Sequence, residues 1–99
     1  MTGWKRDDSL PYQLTRKPHL DKIFAKIGKK DPEQLRAIRN KIKQIAENPH
    51  RFKPLSATMK NKYRVHIYRS FVLVYTVHEN EKTVELLDYD HHDNIYRND

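Results

Sequence analysis

The 99-residue sequence predicts an α+β fold in the order β-α-α-β-β-β-(α), with a helical hairpin packed on one face of a small twisted, mainly antiparallel sheet. Three observations carry that prediction. Two consecutive segments between Pro18 and Asn48 repeat their apolar residues at helical spacing. Three segments between Tyr63 and Asp90 are rich in β-branched and aromatic residues, and turn residues separate them. The middle one, Phe-Val-Leu-Val-Tyr-Thr-Val, is apolar on both faces, as a central strand must be.

Residues 1–10 are polar and charged, and Pro11 closes them off, so they read as a poorly ordered lead-in to a domain spanning 11–99. Tyr12 to Thr15 is a short strand candidate. Pro18 opens the first helix, where its missing N–H costs nothing. Leu20, Ile23, Phe24 and Ile27 then form one apolar face at i, i+3, i+4, i+7, and Gly28 is expected to end it. Asp31-Pro32-Glu33-Gln34 starts the second helix, with Asp31 as N-cap and Gln34 placed for a capping box. Its buried stripe is Leu35, Ile38, Ile42, Ile45 and Ala46, and Asn48-Pro49 stops it. His50 to Lys62 holds no periodicity and reads as a loop. The strands Tyr63–Tyr68, Phe71–His78 and Thr83–Asp90 follow, joined by a tight turn at Arg69-Ser70 and a second at Glu79-Asn80-Glu81. A last short helix or turn covers about His92 to Arg97.

A chain this short buries roughly 60–65% of its unfolded surface. It has no cysteine, so neither disulfides nor a cysteine-based metal site hold it together. No apolar run approaches the roughly 18 residues of a membrane span, and the sequence starts without a signal-like apolar region, so a cytoplasmic location is expected. Net charge is +7, unevenly spread. From Arg16 to Arg69 there are 16 Lys/Arg against 4 Asp/Glu, and from Ser70 onward 2 against 7. The middle of the chain would draw a polyanion or an acidic protein.

Within that basic stretch, Tyr63-Arg64-Val65-His66-Ile67-Tyr68 alternates faces. Tyr63, Val65 and Ile67 point to a core, and Arg64, His66 and Tyr68 point away from it. A cation, an imidazole and a phenol in a row suit phosphate-ester chemistry or the grip on a nucleic acid.

Three stretches resemble the RelE/ParE toxin superfamily of type II toxin–antitoxin modules, and most of all its RelE and YafQ ribosome-dependent mRNA endoribonucleases. They are Lys53-Pro54-Leu55, Tyr63 to Ile67 running into Leu73-Val74-Tyr75, and His91-His92-Asp93-Asn94-Ile95-Tyr96. The likeness covers about residues 11–97. YafQ-like members carry a histidine at the place of His66 and another opening a terminal motif that corresponds to His92, read with Ile95 and Tyr96. RelE-like members instead use Lys and Arg, with a tyrosine at the place of Tyr96. Tyr68 or Arg69 falls where they keep an arginine. Ser70 and Phe71 replace an aspartate and a tryptophan of YafQ-like proteins.

The resemblance implies metal-independent RNA cleavage by 2′-OH attack on translated mRNA in the ribosomal A site, without a cofactor. Such a site must take a proton from the 2′-OH, give one to the leaving 5′-oxygen and stabilise the phosphorane. Imidazole can do either proton transfer near neutrality, and a basic field favours its base form. His66 and one of His91 and His92 are the candidates for proton transfer, with Arg64 clamping the phosphate and Tyr96 stacking or hydrogen-bonding. Lys53, Lys60, Lys62 and Arg69 would bind phosphate, and Tyr68 or Phe71 would hold a splayed nucleotide. The implied partners are mRNA, ribosomal RNA and a cognate acidic antitoxin, with the toxin a monomer inside a hetero-oligomer.

Other readings compete. A lone strand histidine is commonly a surface residue, His19 and His50 read that way, and His78 reads as a strand-end cap. Adjacent His91 and His92 point to opposite faces in extended chain, and no further ligand pair lies at zinc-like spacing, so no metal is expected. A ParE-like gyrase inhibitor without nuclease activity and a plain RNA-binding module are the alternative functions.

Overall fold

The computed structural model describes residues 10–55 and 61–97, with side chains as far as Ile95. Five strands form one sheet in the order β1-β5-β4-β3-β2, and two helices pack on one face of it. The strands are β1 (Gln13–Arg16), β2 (Lys53–Pro54), β3 (Lys62–Ile67), β4 (Phe71–His78) and β5 (Thr83–His91). The helices are α1 (His19–Lys30), α2 (Pro32–Glu47) and α3 (His92–Arg97). Only β1 runs parallel to its neighbour, β5; the other three pairings are antiparallel. The fold class is the α+β arrangement that the sequence predicts.

The helical hairpin lies where its periodicity placed it, with one local correction. Gly28 does not end α1. The helix runs on to Lys30, and a Cβ at Gly28 would stand 2.9 Å from Leu35 Cδ2 of α2. Here glycine permits close approach of two helices instead of stopping one. Asp31 alone joins them. Its N–H donates to Ile27 O at 2.7 Å, and its carboxylate accepts from Gln34 N–H at 3.2 Å, so one residue closes α1 and caps α2. The Gln34 side chain is buried and accepts a hydrogen bond from the Tyr89 hydroxyl at 3.3 Å, so only the Asp31 half of the expected capping box is drawn on.

Val65 and Ile67 of β3, Leu73 and Tyr75 of β4, and Val84 and Leu86 of β5 meet Leu20, Phe24, Ile38, Ile42 and Ile45 in the main core. Tyr75 is fully buried, and its hydroxyl donates to Pro49 O at 2.5 Å, bolting down the 3-10 turn Pro49–Arg51. Burial pushes the Tyr75 phenol far up. The chain then enters β2, two residues within a stretch that reads as a loop, paired antiparallel to β3 as Lys53↔Arg64 and Pro54↔Tyr63.

A bulge breaks β5. Val74 pairs with Asp88 but Tyr75 with Leu86, leaving Leu87 as the extra residue. Leu86 therefore faces the helices, while Leu87 joins Val72, Val74, Leu55 and Ile95 in a small second core on the opposite face. Ile95 belongs to α3, which begins where β5 ends, and His92 N–H donates to Ser70 O at 2.6 Å. The β3–β4 connection is Tyr68-Arg69-Ser70, one residue longer than the tight turn expected. Tyr68 (φ 51°) and Arg69 (φ 49°) both lie in the left-handed region, which costs a non-glycine residue about 1–2 kcal/mol each.

Candidate active site

The alternation of β3 separates its functional side chains from its core ones. Val65 and Ile67 go to the helices, so Lys62, Arg64 and His66 stand on the other face. Lys53 joins them because it is the direct cross-strand partner of Arg64. His66 pairs with Val72 of β4, and beyond Val72 on the same row lies Asp90 of β5. Cations therefore gather on the β2–β3 flank of this face, and carboxylates toward β5. The positive middle and negative end of the sequence become a gradient across one surface.

The first turn of α3 brings His92 to this face. Its ring stacks on His66 with centroids 5.5 Å apart and planes 26° apart, over the small core that Ile95 makes with Val72 and Val74. The His66 imidazole is held below its ordinary value, first by partial burial, then by the charges of Arg64 and His92. A neutral imidazole beside guanidinium and ammonium groups is equipped to accept a proton next to an anion. Among the described residues no group of His and carboxylates is arranged to hold a metal ion.

The structure also divides the predicted set. Lys53, Lys62, Arg64, His66 and His92 come together. His91 does not join them: it ends β5 on the helix-side face, edge-on to Phe71 at 5.7 Å. Phe71 stacks on buried Tyr89 at 5.3 Å, packed against the main core. Strand parity explains both positions, since Phe71 shares a face with Leu73 and Tyr75. Tyr68 leaves the row as well. The left-handed turn carries it toward the α1–α2 junction, where its phenol is raised by partial burial and then by Asp31 and Glu33. Arg69 lies in the same turn. Lys60 and the Tyr96 side chain lie outside the described residues.

A second polar cluster was not visible in the sequence. Glu79 accepts hydrogen bonds from His50 Nε2 at 2.7 Å, Lys82 Nζ at 2.8 Å and the Tyr12 hydroxyl at 2.9 Å. His50 Nδ1 lies 2.9 Å from the Tyr63 hydroxyl. These donors pull the Glu79 carboxyl from 4.5 down to about 2, Lys82 first, then His50 and Tyr12. Tyr12 and Glu79 are 67 positions apart in sequence, so no local pattern announces their contact.

Comparison with known proteins agrees with this architecture. The sequence model of the family described as the ParE toxin of the type II toxin–antitoxin system parDE matches residues 16–96. The chain belongs to that family of toxins. It is 50% identical over 86 residues to a Methanocaldococcus jannaschii protein named "Putative toxin RelE4", covering 87% of this chain and 92% of that one. An uncharacterized protein of Methanosarcina mazei is 48% identical over 85 residues, covering 86% and 99%. Among solved structures, the RelBE2 toxin–antitoxin complex of Mycobacterium tuberculosis contains a chain that superposes with a TM-score of 0.67 at 20% identity, covering 88% of this chain and 97% of that one. That likeness is one of fold. The protein is a type II toxin of the RelE/ParE superfamily.

Proposed function

We propose that this toxin is a ribosome-dependent endoribonuclease that cuts translated mRNA by metal-independent 2′-OH attack. One observation carries the reading: Lys53, Arg64, His66 and His92 share one sheet face, with a base-poised imidazole among cations. His66 takes the 2′-OH proton as the 2′-oxygen bonds to phosphorus. The P–O5′ bond then breaks, and a protonated group, His92 or Tyr96, delivers a proton to the departing 5′-oxygen. Arg64 and Lys53 stabilise the negative charge of the phosphorane. In-line displacement puts acid and base on opposite sides of phosphorus, so the stacked rings swing apart when the phosphate enters. The site is open and small, so the ribosome supplies the orientation that such a surface lacks. The protein works in the cytoplasm, and an acidic antitoxin neutralises the basic face between rounds of use.

Single His66→Ala and His92→Ala variants in a ribosome-programmed cleavage assay test the assignment. Loss of one proton-transfer group lowers the rate by about 10²–10⁴-fold. Full activity in both variants overturns it. One observation favours a second reading: the matching family model is described as ParE. In that branch the surface would bind DNA gyrase without cutting RNA. Inhibition of supercoiling with no cleavage of translating mRNA would establish it.

A further inference from the structure

We infer that the outer face of the helical hairpin is a second nucleic-acid surface, one that grips the phosphate backbones of a folded, double-helical RNA while the sheet face engages the strand to be cut. The inference takes from the proposed function only that RNA is the ligand class.

Lys22, Lys26, Lys29 and Lys30 are all exposed on α1 and, with Ala25, line a shallow depression of about 460 Å³. Their spacing of i, i+4, i+7, i+8 makes one stripe about 12 Å long. Arg36, Arg39 and Lys43 are exposed on neighbouring α2 and form a second row. Among the described residues, none of these seven side chains has a carboxylate within ion-pair distance. Three other cations are matched: Arg16 with Asp21, Lys17 with Glu85, Lys82 with Glu79. Like charges at i, i+4 destabilise a helix, so an uncompensated stripe works against folding and suits an external polyanion.

The location separates this surface from the candidate active site. The helices cover the sheet face occupied by Val65 and Ile67, and His66 and His92 occupy the other. A single strand lying over His66 cannot also follow α1 without rounding the sheet edge. Two cationic rows at helix-packing distance, roughly 8–10 Å, fit two backbones better than one. An acidic protein is the weaker occupant. Protein interfaces centre on apolar or aromatic anchors, and the depression on this face offers only Ala25 amid its lysines, whereas among the described residues the exposed large hydrophobic residue is Tyr68 in the β3–β4 turn.

The test uses an uncleavable 2′-O-methyl RNA stem-loop and measures affinity by fluorescence anisotropy across a salt series. The variant carries Lys22→Gln, Lys26→Gln, Lys29→Gln and Lys30→Gln together, and a Lys17→Gln/Lys82→Gln variant controls for loss of lysine charge elsewhere on the surface. The helix variant should bind at least about tenfold more weakly near 0.15 M salt, with a log–log slope shallower by about three, while the control changes little. Its melting temperature should stay level or rise, because like-charge repulsion is relieved. An unchanged slope and affinity overturns the inference. So does a variant that keeps the stem-loop but loses a Glu/Asp-rich peptide, which would assign the face to a protein. If stem-loop binding falls as expected while the wild-type protein cuts no translating mRNA, the nuclease reading fails and the second RNA surface stands.

Discussion

Replacing Tyr75 by phenylalanine isolates one hydrogen bond with almost no change in packing. The ring is fully buried and stacks on Tyr63 at 5.3 Å, and phenylalanine keeps both features. What disappears is the hydroxyl that donates to Pro49 O at 2.5 Å, inside a buried environment. The lost bond itself contributes about 1 kcal/mol net, and the buried carbonyl left behind adds a desolvation cost, so the total is about 2 kcal/mol. For a domain near 100 residues that lowers the melting temperature by about 8–12 °C. The bond also anchors the Pro49–Arg51 turn that delivers Lys53 to β2 beside Arg64. Thermal unfolding followed by circular dichroism gives the magnitude, and hydrogen exchange at Leu55 N–H, which donates to Lys62 O at 2.8 Å, reports whether the β2–β3 ladder loosens. A melting temperature within about 2 °C of wild type would refute the view that this buried contact fixes the segment.

Two further outcomes follow from the titrating groups. Glu79 is pulled down to about 2, so its contribution to stability is present above the unfolded value near 4.5 and is lost as pH falls from there toward 2. A pH series of melting temperatures should show that decline in the wild type and a flatter line in Glu79→Gln; parallel lines would show that the cluster contributes nothing. His66 is also depressed, so the folded state resists its protonation and loses stability as pH drops below 6.5. Arg64→Gln should raise the His66 titration midpoint seen by NMR while leaving it below 6.5, because burial outranks Arg64 as the cause. An unmoved midpoint would mean that the two side chains do not sense one another.

The sequence by itself determined the order of elements apart from the two-residue strand β2, the buried faces of α1 and α2, and the two-sided character of β3 and β4. These rest on periodicity, a local property that survives whatever the rest of the chain does. It also placed His66 and Arg64 away from the core, since a strand's alternation needs no partner to be read. Only the tertiary structure decided which terminal histidine reaches His66. Parity within β5 puts His91 beside Phe71 on the helix side, and the start of α3 folds His92 back to the other face. It also decided the fate of Tyr68, whose strand-like alternation ends in a left-handed turn, and of Gly28, whose role depends on Leu35 across the hairpin. The bulge at Leu87 and the Glu79 cluster were equally out of reach. Each depends on register or on contact between residues distant along the chain, and strand pairing sets those relations through the whole sheet at once.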